Sequence, residues 1–197
     1  MPPQLFSISP FWPVAIGFFG LGTGSIIWGG TDLFGVPKES PEVNRTMGMW
    51  GVWLPGFCQV LAGIYLMVGL TWFNVFRNSP SLYMAALAFT VFGSHWFAMA
   101  HRRYIGADPT PQGWMAIAFL IVSTLGAYVF FGAGDVPVAI VFIGLALSYA
   151  TEIPTQLVGW TAGKRLGALW QFLTGIWLMY ITWAITCNFA LGDKFWV

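Results

Sequence analysis

Long apolar runs alternate with short polar connections along the whole chain. Each run has about twenty largely apolar residues, the length that a helix needs to cross a bilayer. Every formal charge except that of Glu152 lies between or beyond these runs. The pattern predicts an all-α polytopic membrane protein, a six-transmembrane-helix bundle formed by a single domain over residues 1–197. The predicted spans are residues 11–29, 47–72, 82–100, 114–131, 136–152 and 166–191.

Composition supports a lipid-facing surface. Hydrophobic residues make up 57% of the chain and charged residues only 8%, whereas a soluble domain carries roughly a quarter charged residues. Most of the surface must therefore face something other than water. In lipid, the backbone has to be satisfied within helices or in a closed barrel, and long unbroken apolar runs favour helices. The first run begins near Phe11 without the basic stretch of a signal peptide, so we expect a retained helix.

The connections between the spans predict the topology. The stretch from Phe131 to Asp135 is so short that the fourth and fifth spans must form an antiparallel hairpin. Basic residues are concentrated in the first, third and fifth loops, and loops rich in lysine and arginine stay in the cytoplasm. We therefore expect both termini outside the cytoplasm, in the inner (plasma) membrane of a bacterium. The predicted cytoplasmic loops carry Lys38, Arg45, Arg102, Arg103, Lys164 and Arg165, and the other side carries Arg77 and Lys194.

The sequence lacks the usual patterns of catalysis and of nucleic-acid binding. No serine or cysteine is paired with a suitably spaced base, there is no HExxH motif, and Cys58 and Cys187 have no metal-ligand spacing. A net charge of +1 without a basic stretch argues against a nucleic-acid partner. We therefore expect no enzyme activity, no cofactor and no metal. Polar side chains inside spans are costly and are the first candidates for function: Gln59, Thr90, Ser94, His95, Glu152 and Gln171.

Several of these residues stand in motifs that resemble a known family. Gln59–Gly63 reads Q-x-x-A-G, and Ala88–Trp96 reads A-F-T-V-F-G-S-H-W. Both resemble motifs of the acetate uptake transporter family, the succinate–acetate permeases. The third-span motif, which ends at Trp96, is the most specific of them. Weaker matches are Ser9-Pro10, Gly17-Phe18, Phe130-Phe131-Gly132, and Gly175 with Tyr180.

The resemblance implies a six-helix protomer that assembles into a hexamer, with a pore in each protomer for small monocarboxylates. It also implies that an aromatic of the first span, an aromatic of the third and a leucine of the fifth narrow that pore. Matched position by position, these residues are Phe18, Phe92 and Leu147. Apolar side chains that meet in the middle of a membrane dewet the path and can gate it.

Three polar residues are candidates for the wall of the same pathway. Gln59 lies in the middle of the second span, and Ser94 and His95 lie on the third. His95 follows Phe92 by three residues, so we expect it one helical turn from the constriction. An imidazole there adds a hydrogen-bond donor and an acceptor to an apolar wall. We therefore expect His95 to influence which solute passes.

Three functions remain open from the sequence. The first is a channel or secondary transporter for a small monocarboxylate such as acetate, acting as a homo-oligomer in the bilayer. The second is a channel for a small neutral solute of the urea or amide type. The third is a non-catalytic structural subunit of a larger membrane complex, because subunit interfaces also favour aromatic residues. Purification as a homo-oligomer would favour the first two, and co-purification with other chains would favour the third.

Overall fold

The computed structural model describes residues 11–73 and 79–197, and nearly all of this part of the chain is helical. Six helical units are long and apolar enough to cross a membrane. The second unit contains two π-helical segments, the first of which includes Pro55, a residue without an N–H for the helix ladder. The helices are α1 Phe11–Phe34, α2 Pro41–Gly51, α3 Phe57–Val68, α4 Ser81–Ile105, α5 Thr110–Gly132, α6 Val136–Val158 and α7 Thr161–Leu191, with π-helical segments at Val52–Gly56 and Gly69–Phe73.

Polar side chains begin two of the helices. The Val43 amide donates to Ser40 Oγ at 3.2 Å at the start of α2, and the Val138 amide donates to Asp135 Oδ1 at 3.1 Å at the start of α6. Both are N-cap bonds, which satisfy amides that have no partner within the helix. Gly192, with a φ of 74°, ends α7 in the left-handed region that glycine enters without strain. The chain can therefore turn back sharply after α7.

Close packing at glycines joins the last helix to the first. Gly22 of α1 lies against Leu178 of α7, and Gly29 lies against Phe172. A Cβ on Gly29 would stand 2.6 Å from the Phe172 amide nitrogen, so only glycine permits this approach. The residue numbers of the contact partners fall along α7 as they rise along α1, so the two helices are antiparallel. The bundle is thereby closed between its two ends.

The same antiparallel register recurs between α5 and α6. Gly113 lies against Leu157, and Gly126 lies against the ring of Phe142. The turn between the helices occupies only residues 133–135. The hairpin expected from the short connection is therefore present. With α2 and α3 packed on α4, α4 on α5, α6 on α7 and α3 on α1, the six units form a closed ring.

The outer surface of the ring is apolar on every span. Large side chains point away from the ring where a soluble protein would place charges, which is the pattern of a lipid-facing surface. The chain is an integral membrane protein with an all-α fold of six spans. Representative outward residues, one from each span in order, are Ile16, Trp53, Leu87, Ile121, Ile143 and Trp183.

Candidate solute pathway

An apolar cavity of about 370 Å³ occupies one end of the ring. It lies between the beginnings of α1, α4 and α6 and the ends of α5 and α7. Phe18 and Phe89, whose ring centroids are 5.3 Å apart, form part of its wall. Asp135 is its acidic lining residue, and burial raises the pKa of that carboxyl above its ordinary value, with the hydrogen bond from the Val138 amide opposing the shift. The polar content of this wall is otherwise low.

A larger, polar cavity of about 500 Å³ occupies the opposite end. It lies between the ends of α1, α4 and α6 and the beginnings of α5 and α7, together with the connection after α1. This is the end that carries most of the basic residues. Its wall includes acids, bases and amides: Asp32, Glu39, Arg102, Arg103, Gln112, Glu152 and Lys164.

Leu21 of α1 and Leu145 of α6 line both cavities. The two cavities therefore lie end to end, and the apolar side chains at this level separate them. On α4, Phe92 lines the apolar side of the barrier and Trp96, one turn further, lines the polar side. The Phe92 ring is stacked on Tyr149 of α6, with planes 14° apart and centroids 6.1 Å apart. Aromatic packing of this kind holds the wall in a defined shape.

Two of the three residues expected at the constriction line the apolar cavity. Phe18 and Phe92 are both buried and both line the apolar cavity. The expectation for Leu147 was wrong: it is 37% exposed and lines neither cavity, whereas Leu145 is 8% exposed and lines both. Two residues correspond to about 200° around a helix. Leu147 follows the inward-facing Leu145 by two residues and therefore lies on the outer face of α6.

The three polar candidates for the pathway wall also lie in different places. Gln59 is fully buried and lines the apolar cavity. Ser94 is exposed on the outside of α4, two residues from Phe92, and donates to the Thr90 carbonyl at 2.8 Å, so its assignment to the pathway was also wrong. His95 is buried but lines neither cavity. It lies one layer behind the wall.

The surroundings of His95 are aromatic. Its ring stacks on Phe119 of α5, with centroids 4.1 Å apart, and lies 5.7 Å from the Tyr149 ring. Neither imidazole nitrogen has a hydrogen-bond partner among the described residues. His95 therefore joins α4, α5 and α6 through ring packing, behind the Phe92 and Tyr149 side chains that face the cavities.

The motif residues of the resemblance have structural contacts. Trp96 is buried and packs edge-on against Trp28 of α1, with centroids 4.9 Å apart. Tyr180 Oη donates to the Trp196 carbonyl at 3.0 Å. Ser9 and Pro10 lie outside the described residues, so their expected role stays a prediction.

Arg103 organises the mouth of the polar cavity. Its Nη2 donates to Asp32 Oδ1 at 3.2 Å, and its Nε donates to Asn44 Oδ1 at 2.9 Å. The guanidinium also lies over the Trp28 ring, 4.7 Å from the centroid. One side chain thus joins the end of α4 to the end of α1 and to α2.

A second ion pair lies at the same mouth but is more exposed. Lys164 Nζ stands 3.5 Å from Glu39 Oε2. The hydrogen bond from Asn44, followed by the charge of Lys164, lowers the pKa of Glu39 below its ordinary value. Exposed pairs of this kind contribute little to stability. Their effect here is to neutralise both charges at the mouth.

Sequence reasoning missed the main polar pair of this cavity. Gln112 Nε2 donates a hydrogen bond to Glu152 Oε1, which joins α5 to α6 inside the ring. The same nitrogen lies 3.2 Å from Met99 Sδ on α4. Glu152 was singled out as an intramembrane charge, but Gln112 precedes the predicted fourth span and was assigned to a loop. The signal that could have found it is the helix start at Thr110 after Pro109.

The last residues of the chain fold back onto α7. Asn188 accepts from the Phe195 amide at 2.7 Å and donates to the Phe195 carbonyl at 2.9 Å. Tyr180 holds Trp196 through the carbonyl already described. Val197 lines the apolar cavity beside Asn188. Val197 is therefore held at that cavity's wall by the contacts of Phe195 and Trp196 with α7.

A comparison with solved structures identifies the fold. The chain matches the structure of the bacterial acetate channel SatP with a TM-score of 0.74 and 16% sequence identity, over 95% of this chain and 97% of that chain. The fold is that of a bacterial acetate channel. The resemblance read from the motifs is thus confirmed at the level of the fold. No family model matches the sequence, and no curated protein matches it.

Proposed function

We propose that the chain is a channel for a small solute, a distant member of the acetate uptake transporter family. The observation that carries the proposal is the end-to-end pair of cavities that share Leu21 and Leu145. Together they run through the ring from one set of helix ends to the other. The shared fold with an acetate channel supports the same conclusion.

The proposed mechanism is passage across a short apolar barrier between two wider spaces. An apolar constriction excludes water, and hydrated ions therefore cross it poorly. A small solute leaves the polar cavity, passes the leucine level beside Phe92 and enters the apolar cavity. Leu21, Leu145, Phe18 and Phe92 are the proposed barrier residues, with Gln59 as the polar group of the apolar wall.

The first candidate substrate is a small monocarboxylate such as acetate. It follows from the motifs of the second and third spans and from the fold of the solved acetate channel. The arginines at the mouth of the polar cavity are the groups that would attract a carboxylate.

A second candidate, a small neutral solute, is favoured by the charges of the lining. Arg103 is paired with Asp32 and Lys164 is paired with Glu39, so neither cation is left to concentrate anions. The remaining charges of the polar cavity are Arg102 and Glu152, which are of opposite sign. Asp135 faces the other cavity. Such a pathway lacks the net positive lining of an anion pore.

Assembly and orientation complete the proposal. We expect a homo-oligomer, a hexamer by resemblance, in the plasma membrane of a bacterium. The basic residues of the odd loops would place the polar cavity on the cytoplasmic side and both termini outside.

A single cysteine at Asp193, in a background without Cys58 and Cys187, should then react with a membrane-impermeant reagent in intact cells. Labelling only after lysis would reverse the orientation.

Flux through purified protein tests the proposal directly. Proteoliposomes should show solute-driven swelling or acetate currents well above those of protein-free vesicles. The molecular mass in detergent should correspond to several copies of this chain. Absence of flux for both solute classes, together with other chains that co-purify, would instead identify a structural subunit of a larger complex.

A further inference from the structure

Two amide side chains of the pathway each keep a buried acceptor oxygen without a partner among residues 11–73 and 79–197. In Gln59, Nε2 donates to the Pro55 carbonyl at 2.9 Å, which leaves Oε1 unpartnered. In Gln112, Nε2 donates to Glu152, which again leaves Oε1 unpartnered. The Pro55 carbonyl and an ionised Glu152 carboxylate can only accept, so with Glu152 ionised these bonds fix which end of each amide is the nitrogen.

An unpaired acceptor in a buried position is costly, and such groups are rare. Gln59 lines the apolar cavity and Gln112 lines the polar one, so the two side chains lie on opposite sides of the leucine barrier. Both side chains are more than nine-tenths buried. The groups that would satisfy them are N–H or O–H donors that travel along the pathway.

Glu152 adds a third acceptor at the same place as Gln112. Its carboxylate lines the polar cavity between Tyr149 and Thr155 and can accept several hydrogen bonds. Arg102 lines the same cavity, and its Nε is buried without a hydrogen-bond partner among the residues that the structure describes. The site therefore combines a concentration of acceptors with one flanking cation.

We propose that Glu152, Gln112 and Arg102 form a binding subsite for a small neutral solute that carries an N–H or O–H donor next to a carbonyl, as in urea, a primary amide or a protonated monocarboxylic acid. The solute donor binds Glu152 or Gln112 Oε1, and its carbonyl accepts from Arg102. Gln59 Oε1 receives the same donor beyond the barrier. This inference rests on the proposed channel function and names the form of solute that it passes.

A carboxylate anion fits this subsite poorly. It has no donor for the acceptors, and Glu152 repels its charge. Discrimination of this kind comes as much from the repulsion of the wrong solute as from contacts to the right one. Sites built to hydrogen-bond a donor reject analogues that lack it, because the buried acceptors are then left unpaired.

The test compares urea with acetate, which are similar in size and planar shape. Urea flux is measured by osmotic reswelling of proteoliposomes, and acetate flux by current across planar bilayers. We expect rapid urea flux and little acetate current. A third measurement, uptake of radiolabelled acetate without current that increases as the pH falls, above that of protein-free vesicles, would assign the protonated acid as a substrate.

Glu152→Gln is the informative variant, because it keeps the side-chain size and removes the charge. We expect urea flux to fall about tenfold, as for the loss of a hydrogen bond to a charged acceptor, and acetate current to rise. A gain of acetate current cannot result from misfolding. Ser123→Ala is the control, since Ser123 donates within its own helix to the Phe119 carbonyl and lines neither cavity.

The outcomes separate the two proposals. No flux of urea or acetate in the wild-type protein would overturn the channel function itself. Acetate current that exceeds urea flux in the wild-type protein, or a ratio of the two that Glu152→Gln leaves unchanged, would overturn the neutral-solute subsite and leave the channel in place.

Discussion

Leu145 and Leu147 lie on opposite faces of α6, although only one residue separates them. Leu145 is part of the wall of both cavities, and Leu147 is 37% exposed on the outside of the ring. The inner leucine therefore lies between the two cavities, while the outer one lines neither of them. This pair offers a test of the barrier within one turn of one helix.

Leu145→Ala should widen the barrier and increase solute flux. The lost side chain would also lower the free energy of unfolding by about 2 kcal/mol, the low end for a buried leucine, because the site already borders open space. Flux is measured by vesicle reswelling at matched protein density. Leu147→Ala removes the same atoms outside the pathway and should leave flux unchanged. Equal flux in the two variants would count against the leucine barrier.

Gly29 and Gly30 provide a second matched pair of variants, which tests the packing of α1 on α7 that closes the ring. A Cβ at Gly29 would meet the Phe172 backbone at 2.6 Å, whereas the nearest atom to a Cβ at Gly30 is 3.5 Å away on the Phe172 ring. Gly29→Ala should separate α1 from α7 and lower stability by about 1–3 kcal/mol, as overpacking does. Gly30→Ala should be neutral or slightly stabilising. Thermal unfolding in detergent measures both, and equal melting temperatures would argue against this packing.

His95→Phe should leave solute selectivity unchanged and raise stability by about 1 kcal/mol. The imidazole nitrogens have no partner among the described residues, and the ring already stacks on Phe119. Phenylalanine keeps the stacking and removes the buried polar atoms. Melting temperature and the urea-to-acetate ratio are the measurements. A changed ratio would restore His95 to the pathway, as the sequence suggested.

The exposed pair of Glu39 and Lys164 should contribute less than about 1 kcal/mol to stability. The pKa of Glu39 is below its ordinary value of 4.5 in the folded protein. Its contribution is therefore fully present above pH 4.5 and is lost as the pH falls through the lower folded value. Glu39→Gln should slightly lower the melting temperature at pH 7 and have no effect at the acidic end. A constant difference across this range would contradict the assignment.

Hydrophobic runs were enough to predict the six spans, because each span contains an apolar stretch of bilayer length, with Glu152 as the one formal charge inside the predicted bounds. The same reasoning could not place side chains around each helix. Leu147 was predicted from a motif match. The inward-facing leucine of α6 is Leu145, and Leu147, two residues later, lies on the outer face. Ser94 failed for the same geometric reason, since it lies two residues from the inward Phe92.

Gln112 shows a different limit of the sequence. It precedes the run that was read as the fourth span, and a glutamine there gives no apolar signal. Its position depends on Glu152, forty residues later. No local sequence pattern predicts a hydrogen bond between two helices, so only the packing of α5 on α6 could show this one.

Val197 forms part of the apolar cavity's wall, and this affects where probes can be placed. A fluorophore or tag joined directly to Val197 would begin beside Asn188, at the wall of the apolar cavity. Such a fusion would report on the pathway and could reduce flux by itself. Exposed Asp193, beyond the end of α7, is the better attachment point for any assay that must leave transport undisturbed.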